Sequence, residues 1–151
     1  MLGVPDRALG APFAETLRRG GVQRALVVCG KENLDEVSCA GETWAWDLAG
    51  GRITERVLHP AQFGLGTHAL ADVCSGDAAA NAGTLTALLK GRGETPLLEF
   101  VLLNAAAALV VAGVAVDDKD GVRLARESIA SGAAWKALEA FREFGQTTEK
   151  Q

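Results

Sequence analysis

The chain lacks the cysteine patterns that define cross-linked or zinc-stabilised small domains. Its three cysteines, Cys29, Cys39 and Cys74, are odd in number, and none is spaced as C-x-x-C. We therefore expect neither a disulfide framework nor a zinc site, but reduced thiols in a cytoplasmic protein. No basic segment followed by a short apolar run opens the chain, so no secretory signal is predicted.

An excess of positive charge is also missing. The sequence has 15 basic and 19 acidic residues, a net charge of -4, and its longest basic run is the pair Arg18 and Arg19. Proteins that bind nucleic acid carry a basic patch or stripe, so we expect no nucleic-acid partner. A small anionic ligand would need a metal, a helix N-terminus or a few selected basic side chains.

Several active-site signatures are absent as well. The phosphate-binding loops G-x-G-x-x-G and G-x-x-x-x-G-K-[ST] and the nucleophile elbow G-x-S-x-G do not occur. The sequence shows no internal repeat or interdomain linker, and its 151 residues are enough for one domain. Residues 1–145 are predicted to form that domain, with residues 146–151 as a polar tail.

One stretch of the sequence indicates a site. Ala25–Cys29 is a short apolar run stopped by Gly30, a pattern typical of a strand buried on both faces of a parallel sheet. Asp35 and Glu36 follow that glycine. Magnesium is usually held by one or two carboxylates together with substrate phosphates, so this pair suits a metal–phosphate site. The alternative is that both are solvated loop acids, since such residues are mostly exposed.

The elements around this strand predict an α/β fold. A strand at Met1–Val4 and an amphipathic helix that ends at Gly20 and Gly21 would complete a βαβ unit. Alternating residues in 43–47 and 53–58, separated by a glycine-rich turn, predict an antiparallel hairpin. We therefore expect a central, mostly parallel sheet flanked by helices, with an antiparallel hairpin.

Aromatic and histidine side chains near the hairpin allow two interpretations. Trp44 and Trp46 are suitable for stacking on a ligand, but aromatics more often cover a sheet face. His59 and His68 are suitable as general bases, but the sequence shows no partner that would orient either ring. We expect a structural role for the tryptophans, and surface or loop positions for the histidines.

The second half of the chain is predicted to be helical. Asp77 is expected to cap a helix over 78–89, in which Asn81 is interpreted as a buried hydrogen-bonding residue. Residues 96–116 are almost long and apolar enough to span a membrane, but Glu99 and Asn104 lie inside them and no basic cluster flanks them. We expect a helix buried in the core, then two amphipathic helices.

Six separated motifs, in the same order, resemble anthranilate phosphoribosyltransferase. The A-L-V-V-C-G and L-D-E-V-S segments are similar to the part of that family that carries its magnesium-binding acid pair. The V-V-C-G sequence and the C-A-G-E-T-W sequence that begins at Cys39 resemble fungal members in particular. The matching segments are residues 25–30 with 34–38, Gly41–Thr43, Pro60 with Phe63–Leu65, Gly76–Asp77 with Asn81–Ala82, Leu102–Ala107, and Gly121–Val122 to Ser131–Gly132.

The resemblance implies a fold, a reaction and a cofactor. The fold would be part of the large domain of the nucleoside phosphorylase and phosphoribosyltransferase type, in glycosyltransferase family 3. The reaction would transfer the phosphoribosyl group from phosphoribosyl pyrophosphate (PRPP) to anthranilate, in tryptophan biosynthesis. Asp35 and Glu36 would hold Mg²⁺, which stabilises the pyrophosphate leaving group.

The resemblance covers only the C-terminal portion of such an enzyme. The family's glycine-rich G-T-G-G-D loop and anthranilate site precede the point where this chain begins, so no residue here is assigned to either substrate. Lys31, Glu32 and Asn33 also replace the glycine that usually precedes L-D-E, which would alter the backbone angles of the loop.

Three hypotheses follow from the sequence. The chain is a piece of the enzyme that needs the missing portion for activity, or a non-enzymatic remnant that packs against a partner chain or a second copy. The third hypothesis is an independent metal- or nucleotide-binding module. An incomplete sheet should expose an apolar edge and associate, so a monomer would count against the first two hypotheses.

Overall fold

A four-stranded sheet forms the centre of the computed structural model, which describes residues 1–74 and 76–148. The strands lie in the order β1 (Leu2–Gly3), β2 (Arg24–Gly30), β3 (Thr43–Ala49) and β4 (Arg52–Leu58). Only β1 and β2 pair in parallel, whereas β2 with β3 and β3 with β4 are antiparallel. The α/β class is confirmed, but the expectation of a mostly parallel sheet is wrong within the described residues.

The predicted βαβ unit is present. Helix α1 (Arg7–Arg19) connects β1 to β2 and begins at Asp6, whose Oδ1 accepts a hydrogen bond of 2.8 Å from the Ala8 amide. Its buried Gly10 faces the ring of Trp46, and a Cβ at that position would lie 2.0 Å from a ring carbon. A glycine in this helix therefore lets α1 approach the sheet closely.

The predicted hairpin is also confirmed. β3 and β4 pair along their whole length, from Thr43 opposite Leu58 to Ala49 opposite Arg52. Gly50 and Gly51 form the two-residue turn with φ angles of 55° and 78°. Both angles lie in the left-handed region that glycine adopts without steric cost, as two-residue hairpin turns require.

The side chains of β2 alternate between two apolar clusters. Val27 and Cys29 point to the α1 side, where they join Val4, Ala14 and Trp46. Leu26 and Val28 point to the other side and belong to a larger cluster of fourteen buried residues that includes Leu102 and Leu103. Six of the seven β2 residues are buried, which explains the continuous apolar run in the sequence.

Two short 3₁₀ turns, at Pro60–Phe63 and Leu70–Asp72, follow the sheet in the chain. They are followed by four helices: α2 (Ala78–Leu89), α3 (Thr95–Val111), α4 (Asp118–Ala130) and α5 (Ala133–Thr148). Asp77 caps α2 through a 2.9 Å hydrogen bond from the Ala80 amide, as predicted. Helix α3 buries one face in the larger cluster, and adjoining residues of the same helix line an apolar groove. No helix among the described residues is long and apolar enough to cross a membrane.

Two predictions about the second half of the chain need correction or qualification. Asn81 is exposed on α2, so the interpretation as a buried residue is wrong. Helix α5 continues to Thr148 and so includes the first three residues of the predicted polar tail, while residues 149–151 lie outside the described residues.

Candidate metal site

The segment Leu34–Ser38, called here the acidic loop, follows β2 at its C-terminal end. The Gly30 amide donates a 2.8 Å hydrogen bond to the carbonyl of Leu34, and this closes a tight turn. Within that turn Asn33 has a φ of 60° and is the only described non-glycine residue with a positive φ. Asparagine tolerates this left-handed conformation better than most residues. The turn therefore forms with Asn33 at a position suited to glycine.

The acidic loop packs directly on β1. A Cβ at Gly3 would lie 1.5 Å from the carbonyl oxygen of Asp35, closer than any two such atoms can approach. Only glycine fits at this position unless the loop moves. The short first strand therefore helps to place the backbone of the acid pair.

Two polar side chains hold the other end of the acidic loop. The Val37 amide donates to Oδ1 of Asn104 over 2.9 Å, and Nδ2 of Asn104 donates to the Val37 carbonyl over 3.1 Å. The Ser38 amide donates to Oγ1 of Thr43 over 2.8 Å. Val37, Ser38 and Thr43 are fully buried, so these bonds satisfy groups that water does not reach.

The two carboxylates of the acidic loop have no partner within the described part of the chain. Asp35 is exposed and Glu36 is partly buried, and neither forms an ion pair or accepts a hydrogen bond through its side chain among the described residues. Burial raises the pKa of Glu36, and the neighbouring charge of Asp35 raises it further. The pair is therefore a region of uncompensated negative charge on a well-anchored loop.

The basic side chain closest in sequence to the acid pair is occupied elsewhere. Lys31 forms an ion pair with Glu42, which lies at the start of the hairpin, and this bond lowers the pKa of Glu42. Lys31 therefore does not neutralise Asp35 and Glu36. Two unpaired carboxylates are suitable ligands for a hard cation such as Mg²⁺. The described residues contain no group of three or more side chains placed to hold a metal, so the remaining ligands would come from elsewhere.

The structure gives His68 a partner that the sequence did not reveal. Nε2 of His68 lies 2.7 Å from Oε2 of Glu99 on α3, and the same oxygen accepts a 2.9 Å hydrogen bond from the Gly66 amide. The hydrogen bond to His68 lowers the pKa of Glu99. The expectation that His68 has no positioned partner is therefore wrong. The sequence did contain one indication of this contact. Glu99 lies inside the most apolar stretch, and a carboxylate there needs a partner because such a residue is seldom buried unpaired.

The two tryptophans have structural roles, as predicted, and His59 lies in a loop, where it caps a turn. Trp46 is buried between the sheet and α1, and Trp44 packs beside it with the guanidinium of Arg7 4.6 Å from the centre of its ring. His59 caps the first 3₁₀ turn, because its Nδ1 accepts a hydrogen bond from the Ala61 amide over 3.2 Å.

An apolar groove of about 670 Å³ lies on the helical side of the molecule. Neither Asp35 nor Glu36 lines it, so it is separate from the acid pair. Its walls come from α3, α4 and the ends of α2 and α5, and include Val101, Leu109, Leu124 and Ile129.

Comparison with known proteins identifies close relatives over nearly the whole chain. The family model "Glycosyl transferase family, a/b domain" matches residues 1–135. The anthranilate phosphoribosyltransferase of Schizosaccharomyces pombe is 44% identical over 148 residues, which are 97% of this chain and 42% of that protein. The enzyme of the same name from Rubrobacter xylanophilus is 40% identical over 93% of this chain and 41% of that protein. The chain thus spans about two-fifths of the length of the curated relatives it matches.

A solved structure agrees with the fold. Anthranilate phosphoribosyltransferase from Saccharomyces cerevisiae, in complex with PRPP and Mg, superposes with a TM-score of 0.84 at 30% identity. The superposition covers 92% of this chain and 40% of that one. The arrangement of the four strands and five helices is therefore that of a portion of this larger protein.

Proposed function

This chain belongs to the glycosyl transferase family with an a/b domain, and from that premise we propose that it is the metal-holding portion of an anthranilate phosphoribosyltransferase. The complete reaction transfers the phosphoribosyl group of PRPP to the amino group of anthranilate and releases pyrophosphate, in tryptophan biosynthesis. The portion proposed is the C-terminal one. The order of the matching motifs supports this placement, as does the absence of the family's G-T-G-G-D loop from the sequence.

One observation carries the proposal. In a chain whose relatives are anthranilate phosphoribosyltransferases, Asp35 and Glu36 lie on an anchored loop and form no ion pair within the described residues. Acids that served only solubility would not need a loop held by Gly3, Asn104 and Thr43. The relative from Saccharomyces cerevisiae has been solved with PRPP and Mg. Two carboxylates of the protein and the diphosphate of PRPP are together suitable ligands for Mg²⁺.

The residues present fit Mg²⁺ as ligands. Asp35 and Glu36 offer oxygen atoms only, and the mutual repulsion that contributes to the raised pKa of Glu36 would be offset by a bound cation. When bound, the metal would neutralise charge that develops on the pyrophosphate leaving group. This chain would hold the backbone that carries the two carboxylates, at the end of a buried strand, so that little reorganisation of the loop is needed when the substrate arrives.

The chain alone is proposed to be inactive. It spans about two-fifths of its relatives, and no residue of it is assigned to the anthranilate site or to the cradle of the pyrophosphate. PRPP and anthranilate are therefore proposed as ligands of the completed assembly only. The three free cysteines are in keeping with a cytoplasmic location.

A second candidate function is supported by the helical side of the molecule. A non-enzymatic fragment would use the apolar groove beside α3, and exposed side chains such as Phe141, to pack against a partner chain or a second copy. Light scattering tests for association. A clean monomer at high concentration would contradict packing against a second copy.

The test of the enzymatic proposal is complementation. The chain is mixed with the part of the S. pombe relative that precedes the matched region, and anthranilate consumption is followed with PRPP and Mg²⁺. We expect activity in the mixture and none from either piece. The double variant Asp35→Asn/Glu36→Gln should lower the activity at least ~100-fold, because both proposed ligand charges are lost.

Glu42→Gln is the matched control for that experiment. Glu42 is also an acid near the loop, but it is paired with Lys31, so its loss should change activity by less than about twofold. An inactive mixture, or a double variant as active as the unchanged chain, would contradict the proposal.

A further inference from the structure

Asn104 on α3 forms a two-point contact with the backbone of Val37 in the acidic loop. Its Oδ1 accepts the Val37 amide hydrogen over 2.9 Å, and its Nδ2 donates to the Val37 carbonyl over 3.1 Å. A second Nδ2 hydrogen is donated to the carbonyl of Phe100, one turn earlier in the same helix, over 3.2 Å. The side chain therefore uses both of its donors and an acceptor.

Asparagine is the residue type that this geometry requires. Aspartate would accept from the Val37 amide but would present oxygen to two carbonyl oxygens, and alanine or leucine would offer no polar atom. Glutamine is one methylene longer and would displace the loop. Val37 is fully buried, so water does not replace a missing partner.

The contact controls the peptide that leaves the acid pair. The Val37 amide belongs to the peptide plane between Glu36 and Val37, and the Val37 carbonyl belongs to the next plane. Fixing both planes limits the backbone rotation that directs the Glu36 side chain. At the other end of the loop, the contact of Gly3 with the Asp35 carbonyl limits the preceding peptide in the same way.

We infer that Asn104 is a positioning residue for the proposed metal site, which it serves by holding the backbone of the acidic loop rather than by touching the metal. The inference about the metal rests on the proposed function. The inference about the loop does not, because it depends on contacts within this chain. The explanation also accounts for an asparagine within the most apolar helix of the protein.

The first test measures hydrogen exchange in the chain itself. In Asn104→Ala, the Val37 amide should exchange roughly 10- to 100-fold faster relative to reference amides in β3, because its acceptor is gone. Asn104→Asp should protect this amide partly, because one of the two bonds to Val37 remains. An Asn104→Ala chain in which Val37 keeps its protection, or loses it only in step with β3, would overturn the inference.

Leu103→Ala is the matched control. Leu103 is the neighbouring residue on α3 and is buried in the core, but it makes no hydrogen bond to the loop. Its loss should destabilise the whole domain and accelerate exchange at the loop and at β3 alike. A selective loss of protection at Val37 in this control would remove the case for Asn104.

The second test measures the Mg²⁺ requirement of the complemented mixture at saturating PRPP. Asn104→Ala should raise the half-saturating Mg²⁺ concentration roughly tenfold, as expected for a residue that orients metal ligands, and Leu103→Ala should leave it unchanged. An unchanged requirement in Asn104→Ala would overturn the positioning role. A mixture of unchanged chains without Mg²⁺-dependent turnover contradicts the proposed function instead, and the exchange experiment still decides whether Asn104 holds the loop.

Discussion

The helix that faces the sheet and the two outer helices bury their apolar side chains to different extents. Leu102 and Leu103 on α3 are at most 1% exposed, whereas Leu85 on α2 is 42% exposed and Phe141 on α5 is 73% exposed. The hydrophobic stabilisation of this chain is therefore concentrated between the sheet and the helices α1, α3 and α4. Leu88 on α2 is buried, but the apolar surface that α2 and α5 leave exposed adds little to stability in the chain alone.

The largest expected effect comes from a matched pair of leucines. Leu102→Ala should lower the free energy of unfolding by about 2–5 kcal/mol, because it removes a fully buried side chain and leaves a cavity. Leu85→Ala, the same substitution on α2, should cost less than about 1 kcal/mol. Urea unfolding measures both. Equal losses would show that the outer helix is packed as firmly as the inner one.

A smaller effect is expected at the contact that joins α3 to the loop before α2. Glu99→Gln should cost about 1 kcal/mol at neutral pH, since it weakens the bonds to His68 and to the Gly66 amide. The hydrogen bond to His68 holds the pKa of Glu99 below its ordinary 4.5. A depressed folded pKa contributes stability above pH 4.5, which is lost as the pH falls through the folded value.

The measurement for that prediction is urea unfolding of both chains over a pH series. The difference between them should be largest at neutral pH and should shrink below pH 4.5. Glu127→Gln is the control, because the carboxylate of Glu127 also has a side-chain partner, Arg123 at 2.7 Å, but is 62% exposed. It should change stability by less than about 0.5 kcal/mol. A pH-independent difference for Glu99→Gln would contradict the assignment.

Removing a carboxylate from the acidic loop should stabilise the fold, whereas removing that of Glu99 should destabilise it. Burial, and then the charge of Asp35, raise the pKa of Glu36, so its ionised form is disfavoured in the folded chain. Glu36→Gln should therefore raise the free energy of unfolding slightly at neutral pH, by an amount that solvent screening keeps small because the carboxylate is partly exposed. The gain should vanish below pH 4.5, where the acid is protonated in both states. Thermal unfolding across pH measures this. A destabilised variant would show that Glu36 has a structural partner.

The smallest effect is expected on the outermost helix. Phe141→Ser should change the free energy of unfolding by less than about 0.5 kcal/mol, because the ring is largely exposed. If the exposed apolar face mediates association, the same substitution should lower the apparent mass in light scattering. A loss of more than about 1 kcal/mol would place Phe141 in the core instead.

Local patterns predicted much of the fold. The βαβ unit, the hairpin with its Gly50–Gly51 turn and the cap at Asp77 depend on neighbouring residues, and all three are confirmed. The direction of the strand next to β2 was not predictable in this way. A strand buried on both faces has the same apolar run whether its neighbours are parallel or antiparallel, so the sheet was expected to be more parallel than it is.

Contacts between residues far apart in the sequence were also not predicted. His68 and Glu99 are 31 positions apart, and Val37 and Asn104 are 67 apart. No spacing rule connects such residues, although polar side chains within the apolar stretch indicated that they needed partners. Asn81 was misplaced because its helix lies on the outside of the molecule. The residue types suggested Asp35 and Glu36 as candidate metal ligands, the family resemblance favoured that role over solvated loop acids, and the assignment stays a prediction.

The most direct test of that assignment is calorimetry of PRPP with Mg²⁺. The ligands are titrated into this chain alone, and into this chain mixed with the part of the S. pombe relative that precedes the matched region. We predict no heat of binding for the chain alone, Mg²⁺-dependent binding for the mixture, and loss of that binding in Asp35→Asn/Glu36→Gln. Undiminished Mg²⁺-dependent binding in the double variant would contradict the claim that this acid pair holds the metal.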